Sequence, residues 1–380
     1  MNPLLRLEVR GGCVRAWYCS ASLFLALSIG ELHAEDFTYT NIDGTITITG
    51  YTGPGGNVDI PSTIAGLPVT TIGAFSFSNC IRLKQVTIPE SVVSVGNDAF
   101  YFCLGLTNVT MTASIISIGD RAFFSCWNLS GFTMPQQVAS IGTSAFAFCY
   151  SLPTITIPAS VTNIGAGAFT QCSGMTGINV DAYNSFYSSV DGVLFDKSQT
   201  VILRYPEPRA GRYKIPNTVR NIDGDAFTYC SGLSSVTIPG SVTNIGYFAF
   251  YRCDTLTSAY FEGNAPSSDE PFGDPNARDW ATIYYLPGST GWGPVTYDLP
   301  TALRQPLVQI TAPSFGVGTN GFGFTVSWAD GMTVLVEAST NLISHSWIPL
   351  ATNTLSSGSS YFSDPQWGKY SQRLYRVRKP

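Results

Sequence analysis

The sequence predicts a mainly β repeat solenoid, a right-handed coil of stacked chain windings with a 23-residue period, followed by a small β-sandwich-like module. Two observations predict the solenoid: cysteines recur every 23 residues, and each has a phenylalanine three residues before it and a large apolar residue three residues after it. The loss of this period after residue 306 predicts the separate module. Aromatic residues make up 13% of the 380 and charged residues 12%, which excludes disorder for most of the chain.

The repeat is present in seven units, interrupted once by an insertion. Its cysteines are Cys80, Cys103, Cys126, Cys149, Cys172, Cys230 and Cys253. The phenylalanines that precede them are Phe77, Phe100, Phe123, Phe146, Phe169, Phe227 and Phe250. A short alternating run such as Ile155, Thr156 and Ile157 follows, which places apolar side chains on one face of a strand. A unit this short cannot bury its own apolar face, so like residues of successive units are expected to stack into structural columns.

The pattern I-G-x-x-A-F-x-x-C-x-x-L-x-x-I-x-I-P resembles the BspA-type leucine-rich repeat family of bacterial and protist surface proteins. The resemblance covers roughly residues 57–262. It implies the right-handed leucine-rich repeat solenoid, export, and a role in adhesion or in binding host proteins. Asp223 departs from the chain's own pattern, because other units have Gly142, Gly165 or Gly246 there. That position therefore need not require a backbone angle that only glycine adopts.

The order of segments predicts the domain organisation. Residues 1–34 resemble a secretory signal peptide, because three arginines precede a short apolar run at 21–29 and a small residue, Ala34; an uncleaved anchor is the alternative. Residues 35–72 are expected to form an N-terminal cap and first half-coil. Residues 73–297 are expected to form the solenoid with a hairpin insertion at 181–214, followed by a linker at 298–306 and a C-terminal β module at 307–380. The mature chain is expected to lack a transmembrane segment and to be secreted or held at the cell surface.

No catalytic constellation, metal site or cofactor motif is recognisable in the sequence. His345 is the only histidine outside the signal segment, so a Ser-His-Asp or Cys-His mechanism has little support. Stacked cysteines form a line, whereas zinc requires four converging ligands and a disulfide requires Cβ atoms closer than the spacing of stacked strands. We therefore expect buried, reduced thiols. A carboxylate-dependent polysaccharide-degrading enzyme remains the catalytic alternative, with the acids Asp181, Asp191, Asp196, Asp223 and Asp225.

Binding is the function that the sequence favours. A formal net charge of −5 without a long basic run argues against nucleic acid as a partner. Tyr260 ends an outward file of mostly threonine residues, which either binds ice or a flat polysaccharide or reflects strand propensity alone. The insertion supplies the candidate contacts with a protein or polysaccharide ligand, unless these rings are buried against the solenoid: Tyr183, Phe186, Tyr187, Tyr205 and Tyr213. The chain is thus predicted to be an exported, adhesin-like, non-enzymatic binding protein; a purely structural envelope protein is a further alternative.

Overall fold

The computed structural model describes residues 36–112, 114–268, 270–273, 281–310, 315–329, 331–341 and 346–380. The predicted signal peptide and His345 lie outside these residues. The described chain is a mainly β solenoid of about 10 turns with a C-terminal β module, which confirms the predicted fold. It divides into two compact units. The first extends to residue 236 and includes 241–257 and 266–281, whereas the second consists of 237–240, 258–265 and 282–380.

The N-terminal cap closes one end of the hydrophobic core. Its strands are β1 (Phe37–Ile42), β2 (Thr45–Tyr51), β3 (Gly56–Asp59), β4 (Thr63–Ile64) and β5 (Leu67–Ile72). Strand β2 pairs antiparallel with β1 and parallel with β5, so it joins the cap to the coils. The ring of Tyr51 stacks on that of Phe77 with centroids 5.2 Å apart, and Phe37 packs on both rings. These rings shield the first coil from solvent.

Each coil of the first array contributes a longer strand and a two-residue strand. The longer strands are β6 (Leu83–Ile88), β8 (Asn108–Met111), β12 (Thr154–Ile157) and β14 (Gly177–Val180), and the equivalent strand β10 (Gly131–Phe132) has only two residues. The short strands are β7 (Ser94–Val95), β9 (Ser117–Ile118), β11 (Ser140–Ile141) and β13 (Asn163–Ile164). Pairing is parallel with a 23-residue offset, so Val86 lies opposite Val109 and Thr87 opposite Thr110. Alternation buries the valines and exposes the threonines.

Phenylalanine rings form a continuous column through the core. Ring centroids lie 4.9 Å apart between Phe77 and Phe100 and 5.1 Å apart between Phe100 and Phe123. The column continues through Phe146 to Phe169 at 5.3 and 5.7 Å. The contiguous buried core of this array runs from Phe37 to Ile178 and includes Leu194 of the insertion.

The insertion contains the predicted hairpin and one further strand on each side of it. Its strands are β15 (Tyr187–Val190), β16 (Val193–Asp196), β17 (Val201–Arg204) and β18 (Gly211–Lys214). Strands β15, β16 and β17 form an antiparallel meander. Strand β17 then pairs parallel with the next short strand, with Ile202 opposite Ile222, so the array resumes on the edge of the hairpin.

The second array repeats the coil. Its strands are β19 (Asn221–Ile222), β20 (Leu233–Ile238), β21 (Asn244–Ile245), β22 (Ser258–Phe261), β23 (Ser267–Ser268), β24 (Thr282–Tyr285), β25 (Val295–Thr296) and β26 (Leu299–Leu303). Strands β19, β21 and β23 pair in parallel and form one sheet with the meander. The segment predicted as a linker, 298–306, contains β26, which pairs parallel with β24 because its backbone groups complete the edge of that sheet.

The C-terminal module consists of two antiparallel sheets around a core of their own. One sheet contains β27 (Leu307–Gln309), β28 (Phe315–Gly318), β29 (Gly321–Ser327) and β32 (Ser359–Asp364), and the other contains β30 (Thr333–Ser339), β31 (Ile348–Thr354) and β33 (Leu374–Arg378). A 3₁₀ helix, Trp367–Lys369, precedes the last strand. The side chains of Phe324, Val334, Val336 and Phe362 fill the space between the sheets, together with Leu286 from the end of the solenoid.

Candidate functional site

The turns between each short strand and the following phenylalanine lie on one edge of the solenoid, which we call the turn edge. Neighbouring turns are joined by backbone hydrogen bonds: Ser144 N–H donates to the Ala166 carbonyl at 3.0 Å, and Phe146 N–H donates to that of Ala168 at 2.8 Å. The turns approach so closely that a Cβ atom added to Gly142 would lie 2.4 Å from the backbone nitrogen of Asp120. The repeated glycine is therefore required by this close approach.

One turn is two residues shorter than the others. Five residue steps separate Ile222 from Phe227, whereas three separate the paired Ile202 from Tyr205. Tyr205 nonetheless continues the aromatic column, because its ring stacks on Phe227 at 5.0 Å and its N–H donates to the Ala226 carbonyl at 2.8 Å. The missing residues leave a gap between the coil before the insertion and the coil after it.

A cavity of about 160 Å³ occupies this gap. Its walls are residues 164–170 on one side and 223–225 on the other, and Tyr187, Leu194, Leu203 and Arg204 line it between them. We call it the turn-edge cavity. The hydroxyl of Tyr187 accepts a hydrogen bond from the Ile164 N–H at 2.9 Å, so this ring joins the meander to the last regular coil.

The same gap explains why the chain can have an aspartate, Asp223, where other repeats have glycine. At the equivalent Gly142, Gly165 and Gly246, backbone atoms of the preceding turn lie 2.3 to 2.4 Å from an added Cβ, and the shortened turn removes that obstruction. Partial burial raises the pKa of Asp223, a hydrogen bond from the Gly224 N–H opposes this, and the negative charge of Asp225 adds to it. Asp225 accepts a hydrogen bond from the Thr228 hydroxyl at 3.3 Å. Two of the five predicted catalytic candidates, Asp223 and Asp225, are thus together at the cavity.

A buried ion pair bridges the coils next to the cavity. Arg204 and Glu207 are 6% and 4% exposed and hydrogen-bond directly to each other. The Glu207 carboxylate accepts hydrogen bonds from the N–H groups of Gln171 and Cys172 in the earlier coil. The Arg204 guanidinium donates hydrogen bonds to the carbonyls of Asp225 and Thr228 in the later coil. Burial raises the pKa of Glu207 to about 7 against the opposing effect of Arg204. The pair replaces hydrogen bonds that a regular coil would provide.

The structure separates the aromatic residues that the sequence singled out in the insertion. Tyr183 is 87% exposed and Phe186 51%, so both are available to a ligand. Tyr187 and Tyr213 are half-buried, and burial raises the pKa of each. Tyr205 is only 2% exposed and is packed against Tyr213 at 4.7 Å, which leaves no free ring face.

Tyr260 lies apart from the insertion, on β22 in the second compact unit. It is half-buried, and its ring stacks on Tyr284 of the neighbouring strand at 5.1 Å. The Arg304 guanidinium lies 5.1 Å from the same ring centroid. Tyr260 and Tyr284 thus form an aromatic pair with a cation over one ring. The outward file differs here from its earlier part, where threonines occupy the equivalent positions.

The segments around the repeated cysteines carry a second group of aromatic side chains, which was not predicted from the sequence. The aromatic strip, as we call it, consists of Tyr101, Phe102, Phe124, Trp127, Phe148 and Tyr150. Phe124 lies 5.2 Å from Tyr101 and 4.9 Å from Phe148, so the strip crosses three coils. Trp127 and Tyr150 are 42% and 37% exposed. The sequence feature that could have predicted the strip is the aromatic content of the variable positions around each cysteine.

The cysteines are a structural column with one exception. Cys103, Cys126, Cys149, Cys172, Cys230 and Cys253 are buried and free. Cys80 is disulfide-bonded, which corrects the expectation of a reduced thiol at this position. Cys80 begins the column, so only one of its sides adjoins another cysteine of the repeat.

The described residues contain neither a candidate metal site nor a candidate membrane-spanning helix. Within those ranges, no group of three or more histidine, cysteine or acidic side chains is arranged to hold a metal ion. No helix in the described part of the chain has the length and apolar character needed to span a bilayer.

Comparison with known proteins identifies the repeat. A leucine-rich repeat protein from Eubacterium ventriosum has the same fold, with a TM-score of 0.51 and 23% identity over 64% of this chain and 74% of that one. The T. pallidum leucine-rich repeat protein is 26% identical over 60% of this chain and 91% of its own, with a TM-score of 0.43. A leucine-rich cell surface protein from Faecalibacterium prausnitzii is 26% identical over 69% and 90%, with a TM-score of 0.41.

No curated protein is similar enough to this chain to count as a match. The BspA type leucine-rich repeat region, in six copies, matches residues 57–189 and 210–270. These ranges include the aromatic strip and both walls of the turn-edge cavity. The chain is therefore a member of the BspA-type leucine-rich repeat family.

Proposed function

We propose that this chain is an exported, non-enzymatic surface protein that binds a protein or polysaccharide ligand through the aromatic strip. The observation that carries the proposal is the strip itself: partly exposed rings lie about one coil spacing apart on a rigid parallel scaffold. Aromatic side chains supply large contact area at low cost in conformational entropy, and they are enriched where protein surfaces bind. The family's surface proteins and the apolar N-terminal segment support export.

The strip is suited to an extended ligand more than to a small one. Its rings come from three consecutive coils, so successive units of a chain-like ligand can each meet a ring. Because Phe100, Phe123 and Phe146 stack in the core directly before these segments, the backbone that carries the strip is held in place. A preorganised surface loses little entropy on binding.

A matched pair of double variants tests the proposal. The full chain, the strip variant Trp127→Ser/Tyr150→Ser, and the control Tyr39→Ser/Tyr361→Ser are applied to a glycan array and to immobilised host-surface proteins. The control removes two aromatic rings of similar exposure elsewhere. We expect a ligand whose affinity falls about tenfold or more in the strip variant and is unchanged in the control. Equal loss in both variants, or no ligand on either platform, contradicts the proposal.

Export has its own experiment. In a bacterial host, the secreted or surface form should begin at Glu35, and deletion of residues 2–34 should retain the chain in the cytoplasm. N-terminal sequencing of the exported protein reads the cleavage site directly. An exported chain that keeps residues 1–34 would support the uncleaved anchor.

The presence of Asp223 and Asp225 at a cavity favours one second candidate, a carboxylate-dependent polysaccharide-degrading enzyme. Release of reducing ends from a polysaccharide panel, abolished by Asp223→Asn or Asp225→Asn, would establish it. Absence of release across the panel leaves binding as the function.

A further inference from the structure

The turn-edge cavity contains backbone donors that the protein does not use. In a regular turn, the two N–H groups equivalent to those of Gly167 and Phe169 donate to the next coil, as those of Ser144 and Phe146 do at 3.0 and 2.8 Å. The shortened turn withdraws the acceptors. Within the described residues, the Gly167 and Phe169 N–H groups have no hydrogen-bond acceptor.

Thr170 provides an independent observation. Its hydroxyl oxygen is buried and has no hydrogen-bond partner in the described part of the chain. Thr228 occupies the same repeat position, and its hydroxyl donates to the Phe248 carbonyl of the next coil at 2.7 Å. Buried polar groups without a partner are rare in folded proteins. Because Thr170 lines the cavity, an occupant there can satisfy this hydroxyl.

The opposite wall supplies acceptors, and the remaining lining combines apolar side chains with Arg204. Asp223 and Asp225 are the acceptors, while Tyr187, Leu194 and Leu203 provide the apolar surface. Arg204 does not neutralise these carboxylates, since its guanidinium is paired with Glu207. The volume of about 160 Å³ far exceeds the roughly 10–15 Å³ that one water molecule requires.

We propose that the turn-edge cavity binds a single pyranose unit, either free or at the end of a glycan. Sugar hydroxyls accept hydrogen bonds from N–H groups and donate them to carboxylates, and the C–H face of the ring packs on tyrosine and leucine. An anion would be repelled by Asp223 and Asp225, and a cation would leave the N–H donors unpaired. The cavity shares no residue with the aromatic strip, so the proposal goes beyond the function proposed above and does not depend on it.

The test uses the full chain and free glucose, galactose, mannose and N-acetylglucosamine as probes. Saturation-transfer NMR detects binding, and titration calorimetry gives the affinity. Asp225→Asn keeps a residue that tolerates the left-handed backbone found there, at φ 60°, and removes the charge. Thr170→Val removes the unpartnered hydroxyl, and Ala166→Leu narrows the cavity. Thr156→Val, an exposed threonine on β12, is the matched control.

We expect at least one sugar to bind. Its dissociation constant should rise about tenfold in Asp225→Asn, because a hydrogen bond to a charged group is lost. Thr170→Val should also weaken binding, Ala166→Leu should abolish it, and Thr156→Val should leave it unchanged. Thermal melting identifies any variant that fails to fold, in which case the remaining variants decide. The proposal is overturned if none of the four sugars binds, or if binding persists unchanged in Asp225→Asn and Thr170→Val.

Discussion

The thiol of Cys126 donates a hydrogen bond to the carbonyl oxygen of Phe100, which lies 3.2 Å away in the preceding coil. The same contact, at 3.0 to 3.2 Å, joins Cys103 to Phe77, Cys149 to Phe123, Cys172 to Phe146 and Cys253 to Phe227. The repeated cysteine therefore does more than fill the core. It connects each winding to the backbone of the one before it.

Replacement of Cys126 by alanine should lower the free energy of unfolding by about 1–2 kcal/mol, since it removes this hydrogen bond and leaves a small cavity. Urea unfolding followed by circular dichroism measures the change. Ser130→Ala, at an exposed position in the same coil, is the control and should have almost no effect. An unchanged midpoint for Cys126→Ala would show that the thiol contributes no more than a methyl group.

The buried thiols should resist alkylation in the native protein. Burial raises the pKa of Cys103 to about 12 and that of Cys126 well above its ordinary value, and the thiolate is the reactive species. Iodoacetamide at pH 8, followed by peptide mass spectrometry, should leave both residues unmodified until urea is added. Rapid labelling of Cys126 without denaturant would disprove its inaccessibility.

Substitution by alanine should destabilise the protein at one of two equivalent repeat positions and have little effect at the other. In Gly142→Ala the new Cβ would meet the Asp120 nitrogen at 2.4 Å, so neighbouring turns must move apart, at a cost of about 1–3 kcal/mol. Asp223→Ala already has room for its Cβ and should alter stability by no more than about 0.5 kcal/mol. Chemical denaturation of both variants provides the comparison. Equal stability losses would refute the explanation of Asp223 by the shortened turn.

The Arg204–Glu207 pair should be more sensitive to loss of one partner than to loss of both. Arg204→Met leaves a buried carboxylate and Glu207→Leu leaves a buried guanidinium, so each should cost about 3–5 kcal/mol. The double variant Arg204→Met/Glu207→Leu should recover part of that loss. A double-mutant cycle from urea unfolding measures the coupling, and strictly additive losses would contradict a direct bridge.

Acid should weaken the C-terminal module through Glu337. Hydrogen bonds from Arg378 and Arg376 lower the pKa of Glu337 to about 2. A carboxyl group whose pKa is lowered by folding stabilises the native state above its unfolded pKa near 4.5, and this contribution disappears as the pH falls towards 2. Calorimetry of the full chain should show that the melting temperature falls between pH 6 and pH 2.5. The fall should be smaller in Glu337→Gln than in the unmodified protein. An identical difference in both proteins would mean that another group governs the acid response.

The columns and the hairpin could be predicted from sequence because both depend on local pattern. A fixed period places Phe100 over Phe123, and alternation decides which residues of β12 face inwards. The cavity could not be predicted in this way, because it results from two residues missing between Ile202 and Tyr205 inside an irregular insertion. Asp223 was the one indication of the cavity in the sequence. It stands at a repeat position where the close approach of neighbouring turns otherwise requires glycine.

The aromatic strip escaped prediction for a different reason. Phe102 and Phe148 occupy left-handed backbone positions, at φ 56° and 63°, in each case two residues after a buried phenylalanine. Such positions normally favour glycine or asparagine, so aromatic residues there give no turn signal. Sequence alone also did not show that Tyr205 is a core ring. Tyr205 comes directly after a hairpin strand and lacks the alanine that precedes the phenylalanine in most repeats.

The insertion also has a mechanical consequence. Where the meander separates the two arrays, the Tyr187 hydroxyl and the Glu207 carboxylate take over contacts between windings, whereas β5 and the short strands from β7 to β13 form an unbroken backbone ladder. Under tension, a stack of windings yields first at the joint with the fewest main-chain bonds. A molecule stretched by fluid flow should therefore lengthen at residues 181–214 while the windings on either side stay intact.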